Sequence, residues 1–303
     1  MDVIEIVDVT KTFGKHTAVD NLSLNVPENS IYGFIGPNGS GKTTTLRMIM
    51  NILYPDSGTI KVFGKRRTGS ASDRIGYLPE ERGLYKNMKV RESLIFYAGL
   101  KKSDNLKKEA DYWLERFDLQ AWADRKVETL SKGMSQKLQF IVAVLTSPEL
   151  LILDEPFTGL DPVNLDVIRE AALEIRDRGS TIIFSTHDMS MAENMCDFIF
   201  MICEGKKVLD GTLESIQVQY SNDTIRINAE NGKFVVDGID GIEQVRNLGK
   251  LQELRLKKGI DPQDIITQIM ARTRVKSFDV SKSSLHDIFV RIAGREALKE
   301  EDA

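Results

Sequence analysis

A glycine-rich segment followed by lysine and threonine carries the most definite chemistry in this sequence. Residues 36–44 read Gly-Pro-Asn-Gly-Ser-Gly-Lys-Thr-Thr and satisfy the pattern G-x-x-x-x-G-K-[ST]. The glycines let successive backbone N–H groups curl around phosphate oxygens, and a helix after them directs its positive end at the same group. The residues that we expect to bind a nucleotide are Gly36, Pro37, Asn38, Gly39, Ser40, Gly41, Lys42, Thr43 and Thr44.

Two side chains of this segment are predicted to have separate tasks. Lys42 should reach the β- and γ-phosphates of a nucleoside triphosphate, and the Thr43 hydroxyl should ligate Mg²⁺. The alternative is a chance glycine turn between a strand and a helix, which fits poorly because every position of the pattern is filled.

Two acidic residues stand directly after an apolar run, residues 150–153. Asp154, at the tip of the predicted strand, is placed to hold Mg²⁺ directly or through water. Glu155 can act as a general base toward the attacking water. The alternative is a solvated acidic turn after a core strand, and the phosphate-binding segment makes it less favourable.

His187 ends a second apolar run, residues 181–186. Because the ends of parallel strands meet at the edge of the sheet where ligands bind, His187 is expected to donate a hydrogen bond to the γ-phosphate and to orient the base. A purely structural histidine is the alternative. His16 and His286 have no comparable neighbours in the sequence, and we interpret them as structural or exposed.

The pattern of apolar residues predicts the elements that position these side chains. β-branched residues in near alternation predict short strands, and helical periodicity replaces that pattern from about residue 88 to 146. Two compact apolar runs then predict buried parallel strands with a crossover helix over 163–178 between them. The sequence therefore predicts an α/β nucleotide-binding domain over residues 1–221, with an inserted helical subdomain over about 88–146.

The pattern changes again after residue 221. Strands and helices in mixed order predict a small α+β domain over residues 222–294. We expect strands over 224–229, 233–237, 251–256 and 275–280, and helices over 261–271 and 284–292. The charged residues 295–303 are expected to form a solvated tail.

Composition excludes some classes of function. The 41 Lys and Arg residues are outnumbered by 45 Asp and Glu residues, giving a formal net charge of −4. That balance lacks the basic excess of a general nucleic-acid-binding protein, so we expect no nucleic-acid partner. No apolar run approaches the roughly 18 residues that predict a membrane-spanning helix. If the protein works at a membrane, a partner must supply the spanning helices.

The segment Leu130-Ser131-Lys132-Gly133-Met134 makes a family resemblance definite, because Ser131 lies 23 residues before Asp154. With the phosphate-binding segment and the acidic pair, residues 1–220 resemble the ATP-binding subunit of an ABC transporter. The resemblance implies a P-loop NTPase of the ABC ATPase type that hydrolyses ATP with Mg²⁺. It also implies two ATPase subunits, as a homodimer or a heterodimer, that close around two ATP molecules.

In that family the Ser-x-Gly turn contacts ATP held by the other subunit. Ser131 and Gly133 match this turn, while Lys132 and Met134 replace the usual glycine and glutamine and are similar to exporter-type subunits. The resemblance also places Asp161 in the loop that links the two sites. It places Phe13 where an aromatic ring stacks on adenine, with a core phenylalanine as the alternative.

Glu80 is the main departure from the family pattern. Its position in Ile75-Gly76-Tyr77-Leu78-Pro79-Glu80 usually holds a glutamine that reaches Mg²⁺ and the lytic water. The hypothesis is that the Glu80 carboxylate ligates Mg²⁺ and takes part in catalysis. ATP hydrolysis would then be more sensitive to Mg²⁺ and pH than with the usual glutamine. The alternative is an ion pair with Arg82 that the site merely tolerates.

The resemblance also implies partners and a location. Residues 81–100, which include Leu84, Tyr85 and Met88, correspond to the surface that contacts a membrane permease in this family. The alternative is that these three apolar side chains pack beneath a loop in the ordinary way. The C-terminal domain resembles one found after exporter-type ATPases, which favours export from the cytoplasmic face of the membrane. A soluble ABC-type ATPase acting on ribosomes or DNA, and a subunit that binds ATP without turnover, are the competing functions.

Overall fold

The chain divides into two compact units, Met1–Thr212 and Leu213–Ala303. The computed structural model describes residues 2–66, 73–81, 83–100, 106–220, 224–230, 236, 238–249, 251–257, 259–281 and 284–292. The predicted boundary between residues 221 and 222 falls outside these ranges and stays a prediction, as does the tail over 295–303. Most of the strand predicted over 233–237 also lies outside the described residues.

The first unit contains two sheets and six α-helices in its described part. Its strands are β1 (Asp2–Phe13), β2 (His16–Pro27), β3 (Ile31–Ile35), β4 (Ser57–Val62), β5 (Lys65–Arg66), β6 (Ile75–Leu78), β7 (Leu150–Asp154), β8 (Thr181–Thr186), β9 (Phe198–Cys203) and β10 (Lys206–Thr212). Its helices are α1 (Lys42–Ile49), α2 (Val90–Gly99), α3 (Leu106–Arg116), α4 (Lys132–Val144), α5 (Pro162–Asp177) and α6 (Met189–Met195).

The six-stranded sheet has the order β10-β9-β3-β8-β7-β6, and its strands are parallel except for β10. Every residue of β3, β7 and β8 is buried, as expected for parallel strands that are covered on both faces. The second sheet is antiparallel, with the order β2-β1-β4-β5. Both sheets and α1 contribute to one hydrophobic cluster, which includes Ile4, Ile60, Leu46 and Ile152.

Strand register brings three chain segments to one edge of the six-stranded sheet. Ile35 pairs with Thr186, and Asp154 pairs with Ser185, so β3, β7 and β8 end at nearly the same level. The glycine-rich segment follows β3, Glu155 follows β7, and His187 follows β8. The sheet therefore collects at its carboxyl edge the residues that the sequence singled out.

Helices α2, α3 and α4 occupy the stretch for which helical periodicity was predicted. They pack around buried aromatic side chains, and the rings of Phe117 and Phe140 lie 5.6 Å apart. Helix α4 begins at Ser131, whose hydroxyl oxygen accepts a hydrogen bond from the Met134 amide and caps the first turn. Among the described residues, none of the helices has the length and apolar character that crossing a bilayer requires.

The second unit is a small α+β domain in its described part. Its elements are α7 (Leu213–Tyr220), β11 (Thr224–Ala229), β12 (Ile242–Leu248), β13 (Leu251–Leu256), α8 (Pro262–Met270), β14 (Val275–Ser281) and a helix α9 over 285–292. The sheet is antiparallel with the order β12-β13-β11-β14, and its core includes Ile225, Leu254 and Ile265. Strand β12 was not predicted, because six of its seven residues are exposed and its sequence lacks apolar alternation.

Candidate functional site

The glycine-rich segment between β3 and α1 has a backbone that requires glycine at two positions. Gly36 has φ +153°, and a Cβ atom there would lie 2.1 Å from the Ile202 carbonyl oxygen. Gly41 has φ +108°, and its Cβ would lie 2.4 Å from the Ala18 carbonyl oxygen. Both glycines therefore allow the loop to press against neighbouring backbone while its own N–H groups stay available for an anion.

Lys42 begins α1, and its side chain is buried inside this loop. The Nζ atom donates hydrogen bonds to the Gly36 carbonyl at 2.8 Å and the Pro37 carbonyl at 3.0 Å. It also lies 3.9 Å from Oε1 of Glu155. Burial lowers the pKa of Lys42, while nearby carboxylates, Glu155 first among them, act in the opposite direction. The site thus holds a desolvated cation beside carboxylates, which suits recognition of a polyanion.

Asp154 ends β7 with one carboxylate oxygen satisfied and the other without a partner. Oδ1 accepts hydrogen bonds from the hydroxyls of Ser185 at 2.6 Å and Thr43 at 3.1 Å. Oδ2 is buried and has no hydrogen-bond partner. Burial is the main cause that raises the pKa of Asp154. An unpartnered carboxylate oxygen beside the Thr43 hydroxyl is the hard oxygen donor set that fits Mg²⁺ shared with phosphates.

Glu155 is held at an unusual backbone position directly after the strand. Its φ is +49°, a left-handed value that is uncommon for residues other than glycine. The Glu155 amide donates to the Ser185 hydroxyl at 3.0 Å, and the Thr158 hydroxyl donates to Oε2 at 2.9 Å. Nδ1 of His187 lies 3.1 Å from the same Oε2. The first contact fixes the Glu155 backbone, and the other two hold its buried carboxylate next to a half-exposed imidazole.

Lys42, Thr43 and Glu155 line an open pocket of about 470 Å³, whereas Gly36, Asp154 and His187 are not among its lining residues. Its lining residues are Phe13, His16, Ala18, Asn38, Gly39, Gly41, Lys42, Thr43, Thr44, Glu80 and Glu155. Phe13 is 48% exposed, so its ring is accessible to a stacking partner. The Lys11 ammonium lies 5.5 Å from the centroid of the Phe13 ring. Sequence reasoning left His16 outside the site, although its pairing with Phe13 across the β1–β2 hairpin brings it to the pocket.

Glu80 lies in the same pocket wall as Glu155. Its charge is the smallest of the carboxylate influences that act against burial and raise the Lys42 pKa. Arg82, the partner considered for it from the sequence, lies outside the described residues. The choice between a catalytic Glu80 and an ion-paired Glu80 therefore stays a prediction.

Ser131, Gly133 and Asp161 do not line this pocket. Asp161 caps α5 and accepts hydrogen bonds from the backbone and side-chain nitrogens of Asn164. A Cβ atom on Gly133 would lie 3.0 Å from Nδ2 of the same Asn164, so the caps of α4 and α5 are neighbours. The three residues form a second group, apart from the pocket, in which two helix N-termini lie side by side.

The surface expected to contact a partner carries an aromatic cluster. The Tyr85 ring lies 5.6 Å from that of Phe96 and 6.0 Å from that of Tyr97. Tyr85 is 59% exposed and Phe96 is 40% exposed, whereas Leu84 and Met88 are half-buried. We call Tyr85, Phe96 and Tyr97 the aromatic patch, and its exposure is typical of an interaction surface.

The buried Asp154 is expected to reduce the stability of the unliganded protein. Because its folded-state pKa is raised, protonation favours folding, and that contribution is lost as pH rises through the folded pKa. We expect Asp154→Asn to raise Tm at neutral pH by a few degrees, roughly 1 kcal/mol, while turnover is lost. Thermal unfolding of both proteins across pH measures this difference in Tm, and the difference should become smaller at acid pH. A Tm that is unchanged or lower at every pH would contradict it.

Comparison with known proteins gives matches over nearly the whole chain. A family model described as ABC transporter matches residues 19–158, and one described as the C-terminal domain of DrrA1-3-like ATP-binding proteins matches residues 211–293. An uncharacterized ABC transporter ATP-binding protein, YhaQ, of Bacillus subtilis is 40% identical, covering 96% of this chain and 99% of the relative. Nod factor export ATP-binding protein I of Paraburkholderia xenovorans is 34% identical, covering 97% of each chain. A solved ATP-binding subunit of an ABC transporter superimposes with a TM-score of 0.68 at 29% identity, covering 72% of this chain and 93% of that one.

Proposed function

This chain belongs to the family of ABC transporter ATP-binding subunits, and from that premise we propose that it hydrolyses ATP at a site completed by a second ATPase subunit. The resemblance seen in the sequence is confirmed, as is the predicted fold of an ABC-type P-loop ATPase with a small C-terminal domain. The observation that carries the proposal is the cluster of Lys42, Asp154, Glu155 and His187 at the edge of the phosphate loop.

The loop and its flanking side chains bind and orient the triphosphate. Backbone N–H groups of the loop enclose the phosphates, and the buried Lys42 ammonium exchanges its carbonyl contacts for β- and γ-phosphate oxygens. Thr43 and Asp154 are the residues that would hold Mg²⁺, because their oxygens already lie 3.1 Å apart. When bound, Mg²⁺ supplies positive charge that stabilises the charge developing on the transferred phosphoryl group.

Glu155 acts as the general base in this proposal. Its carboxylate accepts a proton from the water whose oxygen attacks the γ-phosphorus, while the bond from that phosphorus to the β–γ bridging oxygen breaks. The contacts from Thr158 and His187 hold the carboxylate in one orientation. Both the Glu155 carboxylate and a γ-phosphate oxygen are acceptors, so His187 aligns the base with the phosphoryl group when each ring nitrogen carries a proton.

The second group of residues would complete the site of a partner subunit. Ser131 and Gly133 stand at the N-terminus of α4, a helix of 13 residues whose positive end favours an anion. These residues do not line the pocket of their own chain, and they lie beside the N-terminus of α5 instead, which supports a contact with the γ-phosphate of the neighbour's ATP. Asp161 lies beside them and connects this contact with the segment after Glu155. A homodimer and a heterodimer both satisfy this arrangement.

ATP binding would close the two subunits, and hydrolysis would open them to drive a membrane permease. We assign permease contact to residues 81–100, which contain the aromatic patch, and place the subunit at the cytoplasmic face of the membrane. Export is the favoured direction, because the Nod factor relative is named for export.

Co-purification from solubilised membranes tests the transporter function. The tagged chain should retain a polytopic membrane protein, and Tyr85→Glu should weaken that retention by placing a charge in the aromatic patch. Tyr54→Glu is the matched control, because Tyr54 is 63% exposed against 59% for Tyr85. If no membrane protein is retained by the parent chain, the soluble-ATPase alternative gains support.

Glu80 is expected to change how ATP turnover depends on the Mg²⁺ concentration. As a carboxylate in the pocket, it adds a possible Mg²⁺ ligand but also a negative charge near Glu155. We expect Glu80→Gln to raise the Mg²⁺ concentration for half-maximal turnover by about tenfold. Glu81→Gln is the control, since Glu81 is exposed. Identical Mg²⁺ and pH dependence in parent and Glu80→Gln would show that Glu80 is merely tolerated.

A further inference from the structure

Helix α4 carries a buried glutamine whose amide contacts the backbone that follows Glu155. Gln136 is 1% exposed, and its Nε2 atom donates to the Pro156 carbonyl at 2.8 Å and lies 3.5 Å from the Thr158 carbonyl. Both partners are carbonyl oxygens, which only accept hydrogen bonds. The amide must therefore present its nitrogen, and a carboxylate could not replace it.

The segment that Gln136 holds also contacts the proposed base. The Thr158 hydroxyl donates to Oε2 of Glu155 at 2.9 Å. On the other side, the Glu155 amide donates to the Ser185 hydroxyl at 3.0 Å, and the Glu155 backbone keeps its left-handed φ of +49° between these contacts. The position of the carboxylate thus depends on a loop that is fixed from β8 and from α4.

We propose that Gln136 is a positioning residue for Glu155. Its amide fixes the carbonyls of residues 156 and 158, and the fixed loop presents the Thr158 hydroxyl to the carboxylate. The inference rests on the proposed function, in which Glu155 is the base and the Ser131 turn contacts the partner's ATP. Because Ser131 and Gln136 belong to the same first turns of α4, a movement of the Ser131 turn displaces the loop that orients the chain's own base.

Removal of the amide should affect catalysis more than ATP binding. Gln136→Met keeps a side chain of similar length but has no donor, so two carbonyls in the loop lose a common partner. A misplacement of about 1 Å at the reacting groups can cost about 100-fold in rate, so we expect kcat to fall by up to about 100-fold. The Kd for ATP should stay unchanged, because Gln136 does not line the pocket.

Gln139→Met is the matched control, because Gln139 lies about one turn further along α4 and is 8% exposed. It places the same substitution in the same helix and should leave kcat near the parent value. Thr158→Val should repeat the loss seen with Gln136→Met, and Thr158→Ser, which retains the hydroxyl, should not. Thr158 is exposed, so the two Thr158 variants test the contact from the loop to the Glu155 carboxylate even if Gln136→Met fails to fold.

A double-mutant cycle with Glu155→Gln decides whether the effect passes through the base. If Gln136 and Thr158 act through Glu155, Gln136→Met and Thr158→Val should cause no further loss in residual turnover when Glu155 is already glutamine. Equal losses in both backgrounds, or a full kcat in Gln136→Met, would overturn the proposal. A parent protein without ATP turnover would instead contradict the proposed function itself.

Discussion

Replacement of Glu155 by glutamine is expected to lower steady-state ATP turnover by about 10²- to 10⁴-fold, the contribution typical of general-base catalysis. The amide keeps the volume of the side chain and can still accept the hydrogen bond from Thr158. It has no negative charge and does not take a proton from water at neutral pH. ATP affinity should persist, because the loop and Lys42 are unchanged.

Steady-state phosphate release and equilibrium nucleotide binding separate these two effects. Glu115→Gln is a suitable control, because Glu115 is an exposed acid outside the pocket. It should retain both turnover and affinity. If Glu155→Gln kept turnover within about tenfold of the parent, the base would have to be another group.

Replacement of Lys42 by alanine is expected to weaken ATP binding itself. The side chain is 5% exposed and is the buried cation nearest the Glu155 carboxylate in this pocket. Loss of one partner of a buried charge pair typically costs about 2–5 kcal/mol, which corresponds to a rise in Kd of about 30- to 4,000-fold. The loss also leaves Glu155 without the cation that lies 3.9 Å from its carboxylate, which further disfavours an anionic ligand.

Titration calorimetry with ATP measures the loss directly. Lys65→Ala is the control, because Lys65 is exposed on β5 and does not line the pocket. A Lys42→Ala variant that bound ATP with the affinity of the parent would remove this residue from the phosphate site.

The part of the site that could be predicted from the sequence is the part that follows strands. The glycine-rich segment, Glu155 and His187 each follow a short apolar run, and parallel pairing brings such segments together. Local chemistry is sufficient here, because phosphate binding requires backbone N–H groups and a buried cation at a fixed spacing. Local chemistry also predicts Asp261 as the N-cap of the helix expected over 261–271, and Asp261 caps α8.

The residues that sequence reasoning missed are polar side chains without a motif. Ser185 orients Asp154, Thr158 contacts Glu155, and Gln136 holds the loop between β7 and α5. The roles of Ser185 and Gln136 depend on contacts between elements that are distant in the chain, which periodicity does not encode. His16 was missed for a related reason, because only the pairing of β1 with β2 brings it beside Phe13.

The shared ATP site is tested most directly by the molar mass of the Glu155→Gln variant in solution, with and without Mg²⁺ and ATP. Slow turnover should trap the closed state, so light scattering should give a dimer only with ATP. The added substitution Ser131→Arg should return the protein to a monomer by blocking the turn that contacts the neighbour's ATP. A variant that binds ATP yet keeps the mass of a single chain would contradict a site built from two subunits of this chain.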